Sequence, residues 1–439
     1  MAKKAKKHEL QDVGEPNLMR DVFPYKELPR LQVDQQPVEA APAERIWITD
    51  TTFRDGQQAR PPYTPRQIAD IYALLAKLDG GSGLIRQSEF FLYSKRDRQA
   101  VEMCRELGAA YPQITGWIRA VSSDFKLVKQ MGLDETGILT SCSDYHIFLK
   151  LAKTRRQAMQ QYLDVAKAAL DEGIVPRCHF EDITRADFDG FVIPFATELM
   201  KLRQQYGMDV KIRACDTMGF AVPFGQVALP RSVPRIIRAL IDDAGVPGEL
   251  LEWHGHNDFH MVLVNPVSAW IHGCSSANAS LLGIGERTGN PPLEALVVAA
   301  AQLRGHDDKV NYPVITEIAH YYRDTIGYAI PHRYPLVGRD FNTTRAGIHS
   351  DGLLKNEEIY SAFDTVRILN RRPSVAITDK AGAAGIKHWI DTHYETSVTK
   401  DDARLLEIRD RVEAEYEAGR TTAISDEEMH AWYKEAFKA

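Results

Sequence analysis

Several absences narrow this sequence before any motif is read. Nowhere does it carry about 18 consecutive apolar residues, the length a membrane-spanning helix needs. No apolar core of a secretory leader lies near the N-terminus, so neither a membrane partner nor export is expected. Cysteine is scarce. Cys104, Cys142, Cys178, Cys215 and Cys274 are odd in number, scattered, and form no Cys-x-x-Cys, which excludes a disulfide scaffold and a thiolate metal site. Reduced, buried thiols and a cytoplasmic location are expected instead. An excess of positive charge is also missing: 54 Lys and Arg against 60 Asp and Glu leave a formal charge of −6, no electrostatic case for nucleic acid. The run Lys3-Lys4-Ala5-Lys6-Lys7 reads as a solvated tail. What remains is a 439-residue chain with 44% hydrophobic residues, enough for one large globular domain and a smaller one.

Residues 1–44 are polar and punctuated by Pro16, Pro24, Pro29, Pro37 and Pro42, an N-terminal extension whose Phe23-Pro24-Tyr25 is expected to pack on the body or on a partner subunit. Strand-like runs follow at 46–52, 84–90, 114–120, 136–141, 175–181, 210–216, 250–256 and 276–282. Amphipathic stretches alternate with them at 65–78, 96–107, 125–130, 154–172, 187–206, 233–243, 261–272 and 292–303. Eight such alternations over about 250 residues predict an α/β fold, a (β/α)8 TIM barrel spanning 45–305. Polar residues end every strand (Glu89, Arg119, Ser141, Glu181, Thr217 and His256 among them), which favours a barrel mouth over the edge of a doubly wound sheet. Residues 306–439 read as a mainly helical lid and dimerisation region, so a homodimer or larger homo-oligomer is expected.

The most informative cluster is His254-Gly255-His256-Asn257-Asp258. Two imidazoles two residues apart at the end of an apolar run face the same side of a strand. Imidazole is the commonest protein ligand for transition metals. With Asp55 after strand 1 and Asn290 after strand 8, a mixed N/O set emerges that suits Mn2+, Mg2+, Co2+ or Zn2+, with Mn2+ favoured. A cation with open positions suits a 2-oxo acid, whose carboxylate and ketone oxygens chelate it. Arg54, beside a ligand, is placed to stabilise a developing oxyanion; the plain alternative is a structural ion pair with Asp55. Glu181 and His349 are the acid–base candidates. The plain alternative for His349 is a surface-loop histidine, and His146 is a weaker case of the same kind. The turn Gly283-x-Gly285 is weak evidence for a phosphate cradle and reads better as a bend that brings Asn290 towards the metal.

Taken together, Asp50-Thr51-Thr52-Phe53-Arg54-Asp55-Gly56-Gln57-Gln58, His254-Gly255-His256-Asn257-Asp258 and Gly283-Ile284-Gly285-Glu286-Arg287-Thr288-Gly289-Asn290 resemble the three motifs of the DRE-TIM metallolyase superfamily. Gly347-Ile348-His349-Ser350-Asp351-Gly352 is similar to the lid motif of its Claisen-condensing branch, the isopropylmalate, homocitrate and citramalate synthases. The resemblance implies that acetyl-CoA condenses with a metal-bound 2-oxo acid and that the thioester is then hydrolysed. It makes Asp55, His254 and His256 metal ligands with Asn290 close by. Arg54 becomes a charge stabiliser, Gln58 and Thr217 position substrate, and Glu181 and His349 move protons.

Strand 2 departs from the branch, reading Arg86-Gln87-Ser88-Glu89-Phe90-Phe91-Leu92-Tyr93 where a Glu-x-Gly-Phe-Pro pattern is usual. That strand, the segment Pro16–Tyr25 and Thr378-Asp379-Lys380 resemble the Re-face citrate synthases of anaerobic bacteria, which implies oxaloacetate as acceptor. A second substrate carboxylate wants a cation or several donors, for which Arg86, Gln87, Arg119 and Arg345 are the candidates. A leucine-type regulatory domain is not recognised after residue 366, so feedback through one is not expected. Among rival readings, a retro-aldol lyase should carry a reactive cysteine near Asn290-Pro291-Pro292. A biotin-dependent carboxyltransferase should carry Met-Lys-Met, and a bare metal scaffold would need neither Arg54, Glu181 nor His349.

Overall fold

The computed structural model describes residues 8–26, 31–394, 396 and 398–437; the lysine run at 3–7 lies outside the described residues. The chain divides into two compact units, Met1–Asn311 and Tyr312–Ala439. In the first, eight parallel strands close into a barrel in chain order. They are β1 (Trp47–Asp50), β2 (Ile85–Phe91), β3 (Gln113–Ile118), β4 (Glu135–Ser141), β5 (Val175–Glu181), β6 (Lys211–Asp216), β7 (Leu251–Gly255) and β8 (Ser276–Ala279). β8 pairs back onto β1, with Trp47 opposite Ser276 and Asp50 opposite Ala279. Each strand leads to a helix: α1 (Pro65–Asp79), α2 (Lys95–Glu106), α3 (Phe125–Gln130), α4 (Arg155–Asp171), α5 (Ile193–Tyr206), α6 (Val233–Asp242), α7 (Leu263-capped Val264–Ile271) and α8 (Leu293–Arg304). The fold is the (β/α)8 barrel that the alternation predicts.

Helix starts are written locally. Thr64, Ser94 and Thr154 each accept the N–H three residues on, while Gln67, Asp97 and Gln157 return a bond to the cap, a reciprocal arrangement that begins α1, α2 and α4. Removing such a cap costs about 1 kcal/mol. One expected helix is less regular: the 187–206 stretch opens as a π-helical turn, Phe188–Val192, before α5.

Strand faces follow period two. On β5, Phe180 points outward and stacks on Phe195 of α5 at 4.9 Å between ring centroids. Arg177 and His179 of the same strand point inward, and Arg177 crosses the lumen to Glu89 of β2. The barrel centre is therefore charged where such barrels more often pack branched aliphatic side chains. Arg213 meets Glu89 and Glu252, and Arg177 meets Glu89 and Glu135, all of them largely or wholly buried. Buried pairs add little net stability, but stranding one partner costs about 3–5 kcal/mol.

The N-terminal segment lies on the barrel. Phe23 is buried and sits 5.0 Å from Phe220, Gln11 donates its N–H to Gly190, and Tyr145 donates its hydroxyl to Leu18 O. All five cysteines are free and buried. Among the described residues no helix is long and apolar enough to cross a membrane.

The second unit is mainly helical. Its longer helices are Val314–Tyr321, Gly347–Lys355, Gly382–Tyr394, Ala403–Glu417 and Asp426–Phe437, and a short parallel pair joins Thr343–Thr344 to Ser374–Val375. Ile386, Trp389, Ile390, Leu405, Ile408, Met429 and Trp432 form its apolar core.

Candidate active site

β7 delivers His254 inside the strand and His256 just past its end, so both imidazoles rise on the lumen side. Their Nε2 atoms lie 3.3 Å apart. Asp55, which opens the helical turn Asp55–Gln58 after β1, places Oδ2 3.9 Å from His256 Nε2. One ligand atom from each of the three falls within 4.8 Å of the others. The donor chemistry fits a divalent cation. Asp55 Oδ2 and Asn290 Oδ1 are buried without a hydrogen-bond partner, a cost of about 1–3 kcal/mol per group that a bound ion would relieve. Burial works against the Asp55 carboxylate, yet the Arg54 guanidinium beside it holds it below its usual range. Burial is the main reason both histidines stay neutral. An anionic Asp55 beside neutral imidazoles is the protonation state that metal binding requires.

Three supports orient these side chains. Asn278 of β8 faces His254 Nδ1 at 2.7 Å with its Oδ1, which puts the proton on Nδ1 and turns Nε2 to the cluster. Asn290 donates its backbone N–H to Gly283 O at 2.9 Å. A Cβ on Gly285 would stand 1.7 Å from Asn290 Oδ1, so only glycine admits that amide. Arg54 is clamped from two sides, Nε donating to Glu89 at 2.7 Å and Nη1 to Asp55 at 3.1 Å.

Beside this cluster, at the ends of β4 and β5, Glu181 gathers a second set. Ser141 and Lys150 donate to it, and His146 Nδ1 lies 3.0 Å from its Oε2. Burial raises the Glu181 carboxyl, but hydrogen bonding and charge from His146 outweigh that and bring it down to about 2. His146, the weaker histidine in the sequence, is thus a direct partner of Glu181.

The remaining candidates separate. Thr217 stays at the mouth, its hydroxyl accepting the Asp182 N–H at 2.8 Å. Gln58 is exposed at the end of its turn. Gln87 is not at the mouth: its amide donates to Glu135 at 2.8 Å and accepts from Arg177 at 2.9 Å, deep in the lumen. It pairs in register with Gln113, the first residue of β3, and so belongs to the lower layer of the barrel. Arg119 follows the end of β3. Its side chain is 63% exposed and turns to Asp124 at 3.0 Å, a surface ion pair. Arg86 lies over the Trp47 ring at 4.0 Å. Within the second unit, Arg345 pairs with Asp340, and the His349 ring sits 4.3 Å from Tyr360.

Comparison with known proteins agrees with this geometry. The chain is 58% identical to the Citrate (Re)-synthase of Syntrophus aciditrophicus over 96% of its length and 68% of that protein. It is 52% identical to the Citrate (Re)-synthase of Clostridium kluyveri over 96% of this chain and 94% of the relative. The crystal structure of the HMG-CoA lyase from Brucella melitensis overlays with a TM-score of 0.51 at 18% identity, covering 65% of this chain and all of that one, a likeness of fold. The profile of the HMGL-like family matches residues 45–321, a span that takes in the eight barrel strands together with Asp55, His254, His256 and Asn290. On that match and those identities, the chain belongs to the HMGL-like family.

Proposed function

We propose that this chain condenses acetyl-CoA with oxaloacetate and water to give citrate and free CoA. The observation that carries the reading is the buried Asp55–His254–His256 cluster beside Arg54, in a chain more than half identical to proteins named Citrate (Re)-synthase. A divalent cation, with Mn2+ favoured, supplies Lewis-acid polarisation of the acceptor ketone when bound; Asp55, His254, His256 and Asn290 would hold it. Arg54 offers a fixed positive charge where negative charge develops on the acceptor oxygen. Thr217 and Gln58 orient the acceptor.

Glu181 takes a proton from the acetyl methyl carbon. His146, whose Nδ1 lies 3.0 Å from Glu181 Oε2, is the group placed to pass that proton on when its imidazole is neutral. His349, in the second unit, joins the proposal as a proton carrier through its Gly347–Gly352 motif. Assembly as a homodimer, a cytoplasmic location and the boundaries 1–44, 45–305 and 306–439 belong to the same reading.

Free CoA release from acetyl-CoA with Mn2+ tests it, comparing oxaloacetate, 2-oxoisovalerate, 2-oxoglutarate and pyruvate. Selective turnover of oxaloacetate is expected. Preference for another acid would retain the condensation and replace the product with isopropylmalate, homocitrate or citramalate; no release with any acceptor would overturn the reading.

A further inference from the structure

Glu89 of β2 is fully buried in the lumen and is no part of the metal cluster, yet it collects more cations than any structural pair needs. Arg54 Nε lies 2.7 Å from its Oε2, Arg213 Nη1 3.1 Å from the same oxygen, and Arg177 Nη1 3.4 Å from Oε1. Thr51 adds a hydroxyl donor at 3.2 Å, and His179 Nε2 stands 3.6 Å away. Two of these guanidinium groups have carboxylates of their own: Arg213 donates through Nε to Glu252, and Arg177 through Nε to Glu135. Arg54 differs, because beyond Glu89 its carboxylate partner is Asp55, a residue of the metal cluster.

We infer that Glu89 is a positioning residue, acting through Arg54 to hold the guanidinium plane in the orientation the condensation needs. Two neighbouring edges of a rigid planar fork are taken, Nε by Glu89 and Nη1 by Asp55. Rotation about the side chain would break both bonds, so the outer end of the fork, Nη2, stays presented to the acceptor. Arg213 and Arg177 hold Glu89 in turn from across the lumen. β4 makes room for the arrangement: a Cβ on Gly137 would come within 2.6 Å of His179 Nε2 and 3.0 Å of Glu89 Oε1. Although burial raises the Glu89 carboxyl, Arg213 and then Arg54 hold it well below its usual range, so it remains a constant anion.

The inference rests on the condensation reading, and the test separates the two. Glu89→Gln and Glu89→Asp are assayed for CoA release with acetyl-CoA, oxaloacetate and Mn2+, alone and in an Arg54→Lys background, with Mn2+ content measured on each protein. Displacing a catalytic group by about 1 Å costs on the order of a hundredfold in rate. Glu89→Gln should therefore lose kcat on that order with KM for oxaloacetate nearly unchanged and Mn2+ content retained. Glu89→Asp keeps the charge one methylene short and should fall between, which keeps the test decisive where the glutamine variant fails to fold. In the Arg54→Lys background the Glu89 changes should cost little more, because coupled residues are not additive. Normal kcat in both Glu89 variants, or the same loss with and without Arg54, overturns this inference while the condensation stands. No CoA release by the unaltered protein overturns both.

Discussion

Asn278 Oδ1 accepts from His254 Nδ1 at 2.7 Å, and the other end of the same amide donates to Thr49 O at 3.3 Å. The second bond decides which end of the amide faces the imidazole, and so fixes the His254 tautomer from β1 through β8. Loss of such an outer partner commonly weakens metal binding about 10- to 100-fold. Asn278→Ala is expected to do the same to Mn2+ affinity, measured by calorimetric titration, with the far-ultraviolet circular dichroism unchanged. Asn278→Asp, which still accepts, should retain most of the affinity. Equal affinity in the alanine variant would remove Asn278 from the site.

Gly285 gives a steric counterpart. Its added Cβ would meet Asn290 Oδ1 at 1.7 Å and Asn290 N at 3.2 Å. Gly285→Ala must therefore push the Asn290 amide away from Asp55. Mn2+ in about hundredfold excess over its dissociation constant should stabilise the unaltered protein by about 2.7 kcal/mol. At the same Mn2+ concentration Gly285→Ala is expected to show a clearly smaller shift in melting temperature. An undiminished shift would mean that Asn290 takes no part in holding the ion.

These supports mark where the sequence stops being legible. Strand and helix alternation was readable because each strand carries an apolar outer face, such as Cys178 and Phe180, and each helix its own cap, such as Thr64 with Gln67. The cluster was readable because His254 and His256 share one face of one strand. Height along the barrel was not. Gln87 and Glu89 point the same way on β2, and only the stagger between neighbouring strands, set by barrel shear, puts Gln87 with Glu135 below and Glu89 beside Arg54 above. Asn278 was overlooked for the same reason: its inward position on β8 is visible, its level opposite His254 is not. Arg119 stands at the right strand end, but a local acid, Asp124, five residues on, captures it.

Glu181 and His146 should behave as a unit. Glu181→Gln keeps the shape and the Ser141 contact but cannot accept a proton, so kcat should fall by about 10²- to 10⁴-fold. His146→Ala removes the leading cause of the low Glu181 pKa, which should then rise. The acidic limb of the kcat/KM profile is expected to move to higher pH in that variant, because the carboxylate form is lost earlier as pH falls. An unmoved limb in a variant that still turns over would show that Glu181 is not the group being titrated.

Stability should carry its own pH signature through Glu294. This residue, at the start of α8, is buried; its Oε2 accepts the Leu282 N–H at 3.0 Å while Oε1 has no hydrogen-bond partner. Burial pushes its carboxyl up to about 7. The folded chain therefore keeps a proton that the unfolded chain has already released above about pH 4.3. Stability from this group is fully present below that value and is lost as pH rises towards 7, by up to about 3 kcal/mol. Asp216, raised to about 7, and Asp50, raised to about 6, are buried acids that slope the same way. Glu294→Gln retains an acceptor for Leu282 and has nothing to ionise. Chemical denaturation at pH 5 and pH 8 should show the variant losing less stability than the unaltered protein across that interval, with the difference largest at pH 8. Parallel losses in the two proteins would mean that Glu294 is ionised in the folded chain at both pH values.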